Sequence, residues 1–482
     1  MTPPPPSITG VRQPSPVPLA TGLFLLLFAA FSHGTLNDGD TFSHVRTGLW
    51  ILQQHAVPHT DIFSYTLHGA PWTPHEWLAE VLFALAFQVA GWAGVLALTA
   101  GCAGAAGYLL SRALARGLQG PALLAASGMG AMSCMSGLLA RPHLLALPIV
   151  ILWIDRLITA RRSDTGPVTI WMGSLMLLWA NLHGGWAFGL VLLGLFATER
   201  MVSAPGNLRD RWIASRNWWY AVASATLASA ATPNGMEGVL FPVRLSLIPN
   251  LSMVREWQSA DFSVLSPLEL IVLAGMGLGL SGRVRLDGFS TLLLLALAHM
   301  ALQHRRHEAL LAVSGVLLMA DAVASRSRST PAPADRYGTL VFVSAASAAL
   351  LLRLCLPIAL ADSQVAAPSA IAHVPPQVRS RPVFNSYEFG GFLIFSGIAP
   401  YIDGRADMFG PRFLNDYVVL LSPDPDRFRT VVERYGIGWT LLRPGEPLVK
   451  MLDRTCGWHR IHSDNTAVVH VRDPADTACG QP

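Results

Sequence analysis

A mostly α, polytopic bundle of transmembrane helices with a small C-terminal α/β domain is the fold class this sequence predicts. Three observations predict it. Hydrophobic residues make up 52% of the 482 residues and charged residues only 13%, about half the roughly 25% of a soluble globular chain. Mean hydropathy is +0.42, so most of the surface must face lipid. Apolar runs recur as far as residue 361, and beyond it the chain changes to short strand-like and helix-like stretches broken by turns.

Net charge is small, +4 from 34 Lys and Arg against 30 Asp and Glu, and Lys450 is the only lysine. No basic stripe is interleaved with aromatics, which excludes a nucleic-acid partner. The five cysteines lack CxxC spacing and so offer no structural zinc site. Cys102, Cys134 and Cys355 lie in apolar runs, whereas Cys456 and Cys479 sit in the polar tail and can pair if that tail is outside the cytoplasm.

Residues 1–17 are proline-rich and read as a disordered cytoplasmic tail. The first apolar run, 18–36, lacks a Lys/Arg-rich leader and a small-x-small cleavage site, so it reads as an uncleaved anchor. Further runs cover 78–111, 121–140, 143–159, 168–182, 186–199, 217–232, 267–281, 288–303, 308–323 and 338–361. The run 78–111 would be about 50 Å long at 1.5 Å per residue, against a hydrocarbon core of about 30 Å. It is either two spans or an interfacial helix plus one span. A single crossing puts fourteen arginines, Arg112 to Arg336, on the N-terminal side and six on the other; two crossings destroy that bias. The sequence therefore predicts about eleven spans over 18–361, a first outer loop at 37–77, and an α/β domain at 362–482 on the outer side. In that domain Val383–Phe384, Phe392–Phe395, Trp439–Leu442 and Ala467–Val471 read as strands. Asp426–Tyr435 and Pro447–Asp453 read as helices.

With this topology the unusual polar residues gather on the outer side. The first loop carries Asp38-Gly39-Asp40, His44, Arg46, Asp61, His75 and Glu76. Later turns carry Arg141-Pro142-His143, Asn181-Leu182-His183, Arg255-Glu256-Trp257 and Arg305-Arg306-His307-Glu308. Ionisable groups at membrane depth are costly and point to function. Paired carboxylates with arginines and imidazoles suit activation of a nucleophile beside a bound phosphate. Each cluster also has a structural reading: Arg-Pro-His as a helix end with a snorkelling arginine, His183 beside two glycines as turn filler, Arg255-Glu256 as an ion pair. Asp38 and Asp40 have the strongest claim, because a helix end needs only one capping carboxylate. Asp403-Gly404-Arg405-Ala406-Asp407 either binds an acceptor sugar or is an Asp-Gly turn in which Arg405 bridges both aspartates.

These segments, with Pro58 to Tyr65, Pro71 to Glu80, Trp179 to Gly185 and Asn385 to Asp407, resemble the GT-C superfamily of membrane glycosyltransferases, which use polyprenyl-phosphate-linked sugars. The resemblance covers nearly the whole chain. It implies that Asp40 or Asp38 is the catalytic base or a metal ligand, Mg²⁺ or Mn²⁺ being the ions to test. It places the lipid phosphate near Arg141, His143, His183, Arg305, Arg306 and His307. His44, Arg46, His75, Glu76, Asn181, Glu388, Asp403 and Arg405 complete the candidate substrate-binding set. Tyr387-Glu388-Phe389-Gly390-Gly391 is similar in placement to the Trp-Trp-Asp-Tyr-Gly acceptor motif of oligosaccharyltransferases but lacks both tryptophans. The implied activity is hexosyl or pentosyl transfer from a polyprenyl-phosphate donor to a lipid or glycan acceptor. Two other readings stay open: a transporter or flippase of lipid-linked saccharide, and a non-catalytic subunit of envelope-glycan assembly. No internal repeat of the kind common in carriers is visible.

Overall fold

The computed structural model describes residues 15–135, 137–248, 255–325 and 335–473. Each of the eleven apolar runs falls for most of its described length in a helix, though 121–140 and 338–361 run on beyond Gly120–Met135 and Arg336–Leu354. By length and composition five described helices can cross a membrane: Trp77–Leu114, Pro142–Ser163, Trp186–Ser203, Arg305–Ala324 and Arg336–Leu354. Val17–Phe31, Thr169–Leu182, Pro267–Leu280 and Gly288–Gln303 are apolar but shorter, and rely on helix partners to match the bilayer.

The run Trp77–Leu114 is two helices meeting at non-helical Ala90 and Gly91 (φ +57°). Its first part lies along a further helix within the first loop, Gly39–Gln54; Gly48 there abuts the Glu80 carbonyl too closely for any side chain. Its second part packs on Val17–Phe31 through small residues. A Cβ on Gly22 would come within 2.9 Å of Tyr108 Cβ, and one on Gly104 within 2.8 Å of Leu26 Cβ, the close backbone approach on which membrane helices depend.

The C-terminal domain has a four-stranded sheet: β1 Val383–Asn385, β2 Trp439–Leu442, β3 Trp458–Ser463 and β4 Val468–Arg472, in the order β1-β2-β4-β3. β1 and β2 are parallel and the other pairs antiparallel, with Thr440 opposite both Phe384 and His470. Helices Ala406–Leu421, Pro425–Tyr435 and Pro447–Leu452 pack on it around Phe384, Tyr401, Tyr417, Phe428 and Leu452. Phe392–Phe395, expected as a strand, belongs to the helix Gly390–Phe395. A short apolar run buried all round carries no periodicity to separate strand from helix. Its phenylalanines join Phe42, Phe87 and Trp92 in one aromatic cluster, which ties the domain to the first loop.

That loop is docked elsewhere too. Tyr65 donates its hydroxyl to the Val383 carbonyl at 2.9 Å and Thr66 to that of Tyr401 at 2.7 Å. Arg405 bridges Asp403 and Asp61, both at 2.7 Å, so the expected bridge from Arg405 to Asp407 is corrected to one across the two segments. Cys479, the partner expected for Cys456, lies outside the described residues.

Candidate active site

The site begins where Val17–Phe31 ends. Ser32 accepts from the Gly34 N–H at 3.2 Å and starts the 3-10 turn His33–Leu36. Asp38 then caps Gly39–Gln54, accepting from the Asp40 N–H at 2.9 Å. The turn before the helix Pro142–Ser163 is pinned against this entry. The Ala140 N–H donates to the Thr35 carbonyl at 2.8 Å, and the Thr41 hydroxyl to the Ala140 carbonyl at 3.0 Å. Next in the chain, Arg141 is therefore held over both aspartates. Its Nε donates to Asp38 at 2.9 Å, and its two terminal nitrogens meet Asp40 and Glu256. One guanidinium serves three carboxylates.

A cavity of about 820 Å³ opens beside this cluster. Its polar end carries Asp38, Asp40, Arg141, His143, His183, Arg305, Arg306, Glu308, Glu388 and Arg443. Its other wall is apolar: Leu144, Leu147, Val150, Phe188 and Leu310. His143 is hydrogen-bonded to the Gly137 carbonyl at 2.8 Å, and His307 lies edge-on to Phe188. Arg305 approaches Glu308 at 3.9 Å. Arg306 pairs with no carboxylate among the described residues; its guanidinium lies 4.6 Å from the Trp257 ring centroid. A desolvated cation without a counter-ion, facing a cavity, suits an anion.

A second cavity of about 160 Å³ adjoins the first and shares Asp40, Arg141, His143, His183, Glu256 and Arg306 with it. It adds His44, His75, Glu76, Glu80, Arg405 and Asp407. Glu76 sits among three imidazoles, 3.6 Å from His75 and from His183 and 3.8 Å from His44. Burial lifts its pKa to about 7, helped by Glu80 and opposed by His44 and Arg306. Burial likewise raises Asp407 to about 6 and lowers His75 to about 3. Burial also lowers His183, well below the imidazole norm. For His44 burial is outweighed by the Glu80 hydrogen bond and the Glu76 charge, and its value rises.

Most of the residues singled out in the sequence thus meet around two joined cavities. Three do not. Arg46 is exposed and lines neither. Asn181 is buried and consumed by structure, accepting from Trp77 Nε1 at 2.7 Å and donating to the Leu177 and Ala231 carbonyls. Asp403 is fully buried under Arg405. Arg405 reaches only the edge of the smaller cavity, its other side stacked 4.6 Å from the Trp72 centroid. Sequence reasoning missed Arg443, which reaches Glu388 at 2.9 Å and Gln364 at 2.7 Å, and Glu80, one helical turn after Glu76. The Glu76–Glu80 spacing was a usable signal; Arg443 follows β2 with none. The aspartates offered to Mg²⁺ or Mn²⁺ are both turned to Arg141, and no three His, Cys, Asp or Glu among the described residues are grouped to hold a metal ion. That donor set does not fit a divalent cation.

A helical bundle with a small α/β domain docked on its first loop, over a cavity lined by both ionisable and apolar side chains, is a fold this chain shares with solved structures. The archaeal oligosaccharyltransferase AglB from Archaeoglobus fulgidus, solved in complex with an inhibitory peptide and a dolichol-phosphate, shares it with a TM-score of 0.53 and 10% identity, over 95% of this chain and 74% of that one. ArnT from Cupriavidus metallidurans, bound to undecaprenyl phosphate, gives a TM-score of 0.49 and 12% identity over 96% and 98%. No family model and no curated protein matches the sequence.

Proposed function

We propose that this chain is a glycosyltransferase that moves one sugar from a polyprenyl-phosphate donor to a hydroxyl of a lipid or glycan acceptor, at the periplasmic face of a bacterial inner membrane. The observation that carries the reading is the larger cavity, in which Arg306, without a carboxylate partner among the described residues, and an acid cluster meet apolar side chains. Such a cavity matches a ligand with an anionic head and a hydrocarbon tail. The dolichol-phosphate in AglB is a ligand of that kind.

In the proposed step the acceptor hydroxyl loses its proton to Asp40 as its oxygen bonds to the anomeric carbon. The bond from that carbon to the phosphate oxygen breaks, its electron pair leaves with polyprenyl phosphate, and the configuration inverts. Arg306, with Arg305 beside it, stabilises the departing phosphate in a site of low dielectric. A phosphate leaves as a stable anion, so no general acid is required. Asp38 and Glu256 hold Arg141, which in turn orients Asp40.

The test uses purified protein in nanodiscs with a panel of undecaprenyl-phosphate hexoses and pentoses, radiolabelled in the sugar, and total envelope lipid and glycan as acceptor. Label should move to acceptor with at least one donor. Vesicle translocation of the intact donor without transfer would instead make the protein a carrier, and neither outcome would leave a binding subunit.

A further inference from the structure

We infer that the smaller cavity is a hydrated proton chamber in which Glu76 collects the proton that Asp40 takes from the acceptor. This rests on the glycosyl-transfer reading. Every turnover leaves a proton on Asp40, which must be cleared before the next acceptor can be activated. Only an O–H bond is exchanged along the route: hydroxyl to Asp40, Asp40 through water to Glu76, Glu76 to solvent.

Three independent features point to the chamber. Asp40 lines both cavities, so it stands between the proposed reaction site and the chamber. Glu76 lies 3.6–3.8 Å from His44, His75 and His183, beyond direct hydrogen bonds but close enough for its charge to act on all three rings. The chamber has about 160 Å³, where each water molecule takes about 30 Å³ of liquid volume. Finally, Glu80, whose side chain is 5% exposed, has one carboxylate oxygen buried with no partner among the described residues. A carboxylate oxygen in that position needs a water or a proton.

The groups facing Glu76 set its affinity. Burial, Glu80 and Asp407 hold its proton more tightly; His44 and Arg306 loosen it, giving a value of about 7. A proton acceptor works best when its value lies near the working pH. His75, held near 3, and His183 stay neutral and pass protons without trapping them. The Glu76 side chain is 15% exposed, which gives the proton an exit.

Sign and kinetics follow. Glu76 accepts only when ionised, so wild-type turnover should rise with pH through about 7. In Glu76→Gln the first transfer proceeds, because Asp40, ion-paired with Arg141, can take one proton, but later ones wait for proton loss to bulk. The experiment compares rapid-quench time courses of wild type and Glu76→Gln in nanodiscs with whichever undecaprenyl-phosphate sugar supports transfer. The variant should show a burst of one product per enzyme, then a steady state slower by about tenfold or more, without the limb near pH 7. Imidazole at high concentration should restore the steady state in the variant and leave wild type unchanged. If Glu76→Gln does not fold, His44→Asn, which removes a charge that loosens the Glu76 proton, should move the pH limb of turnover upward, and an unmoved limb would count against the chamber. Equal burst and steady-state losses without imidazole rescue, or an unchanged pH profile, would overturn the chamber while leaving the transferase reading intact. Absence of any transfer by wild type would overturn both.

Discussion

Asp38 and Asp40 are two residues apart and differ in what their oxygens can still do. Asp38 Oδ1 already takes the Asp40 N–H and Arg141 Nε, so it is spent on the helix cap and the guanidinium. Asp40 meets Arg141 through one oxygen, while the other lies against Gly404, where any Cβ would overlap it. Asp40→Asn keeps size and removes basicity, so turnover should fall by about 10²–10⁴ with the unfolding temperature nearly unchanged. Asp38→Asn keeps a good N-cap and should lose less turnover. Equal wild-type rates in both would move the base elsewhere. Arg306→Ala should weaken binding of undecaprenyl phosphate by roughly ten- to a hundred-fold, from loss of one charge-assisted contact of about 1.5–3 kcal/mol. Arg305→Ala should cost less, because Glu308 already draws on its charge. The aspartates were legible because Asp-Gly-Asp follows the first apolar run. Arg443 was not, because only tertiary folding brings the residue after β2 to the rim where Glu388 and Gln364 stand.

At the scale of elements, the first loop and the C-terminal domain are one assembly. Asp61 and Asp403 have fully buried side chains, and Arg405 between them is 10% exposed and lies over the Trp72 and Phe63 rings. Asp61→Ala leaves Arg405 paired with Asp403 but removes one charge-assisted bond, so it should destabilise the docked domain by about 1.5–3 kcal/mol. The readout is thermal unfolding combined with protease release of a fragment beginning near residue 362; an unchanged melting curve would make the bridge dispensable. Continuous apolar composition marked the eleven runs but gave no sign of Gly39–Gln54, whose buried residues include Thr41, Ser43, Thr47 and Gly48. β1, β2 and β4 were readable from their β-branched and aromatic residues. β3 was not, because Trp458–Ser463 contains polar His and Arg and exposes most of its length.

At the scale of the whole molecule, the two ends of the bundle differ in charge. The helix Pro142–Ser163 starts at Arg141 beside the cavity and ends at Arg161 and Arg162, 22 residues on, about 33 Å at 1.5 Å per residue and close to a hydrocarbon thickness of about 30 Å. Trp186–Ser203 likewise starts next to His183 and ends near Arg200. Those far ends meet, since Arg161 reaches Glu199 at 2.9 Å and Asp287 at 3.1 Å. Pairing with carboxylates does not cancel the topological signal, because orientation follows Lys and Arg and acids contribute little. The arginine-rich end should therefore be cytoplasmic, and the cavity with its docked α/β domain periplasmic. A fusion of alkaline phosphatase after Pro482 should be active and a green fluorescent protein fusion at the same place dark. A second pair inserted between Arg161 and Gly166, where Pro142–Ser163 ends, should give the opposite result. A fluorescent, phosphatase-silent C-terminus would turn the molecule over. Asp40, Arg306 and the chamber around Glu76 would then face the cytoplasm, and the sugar donor would have to be presented on that side.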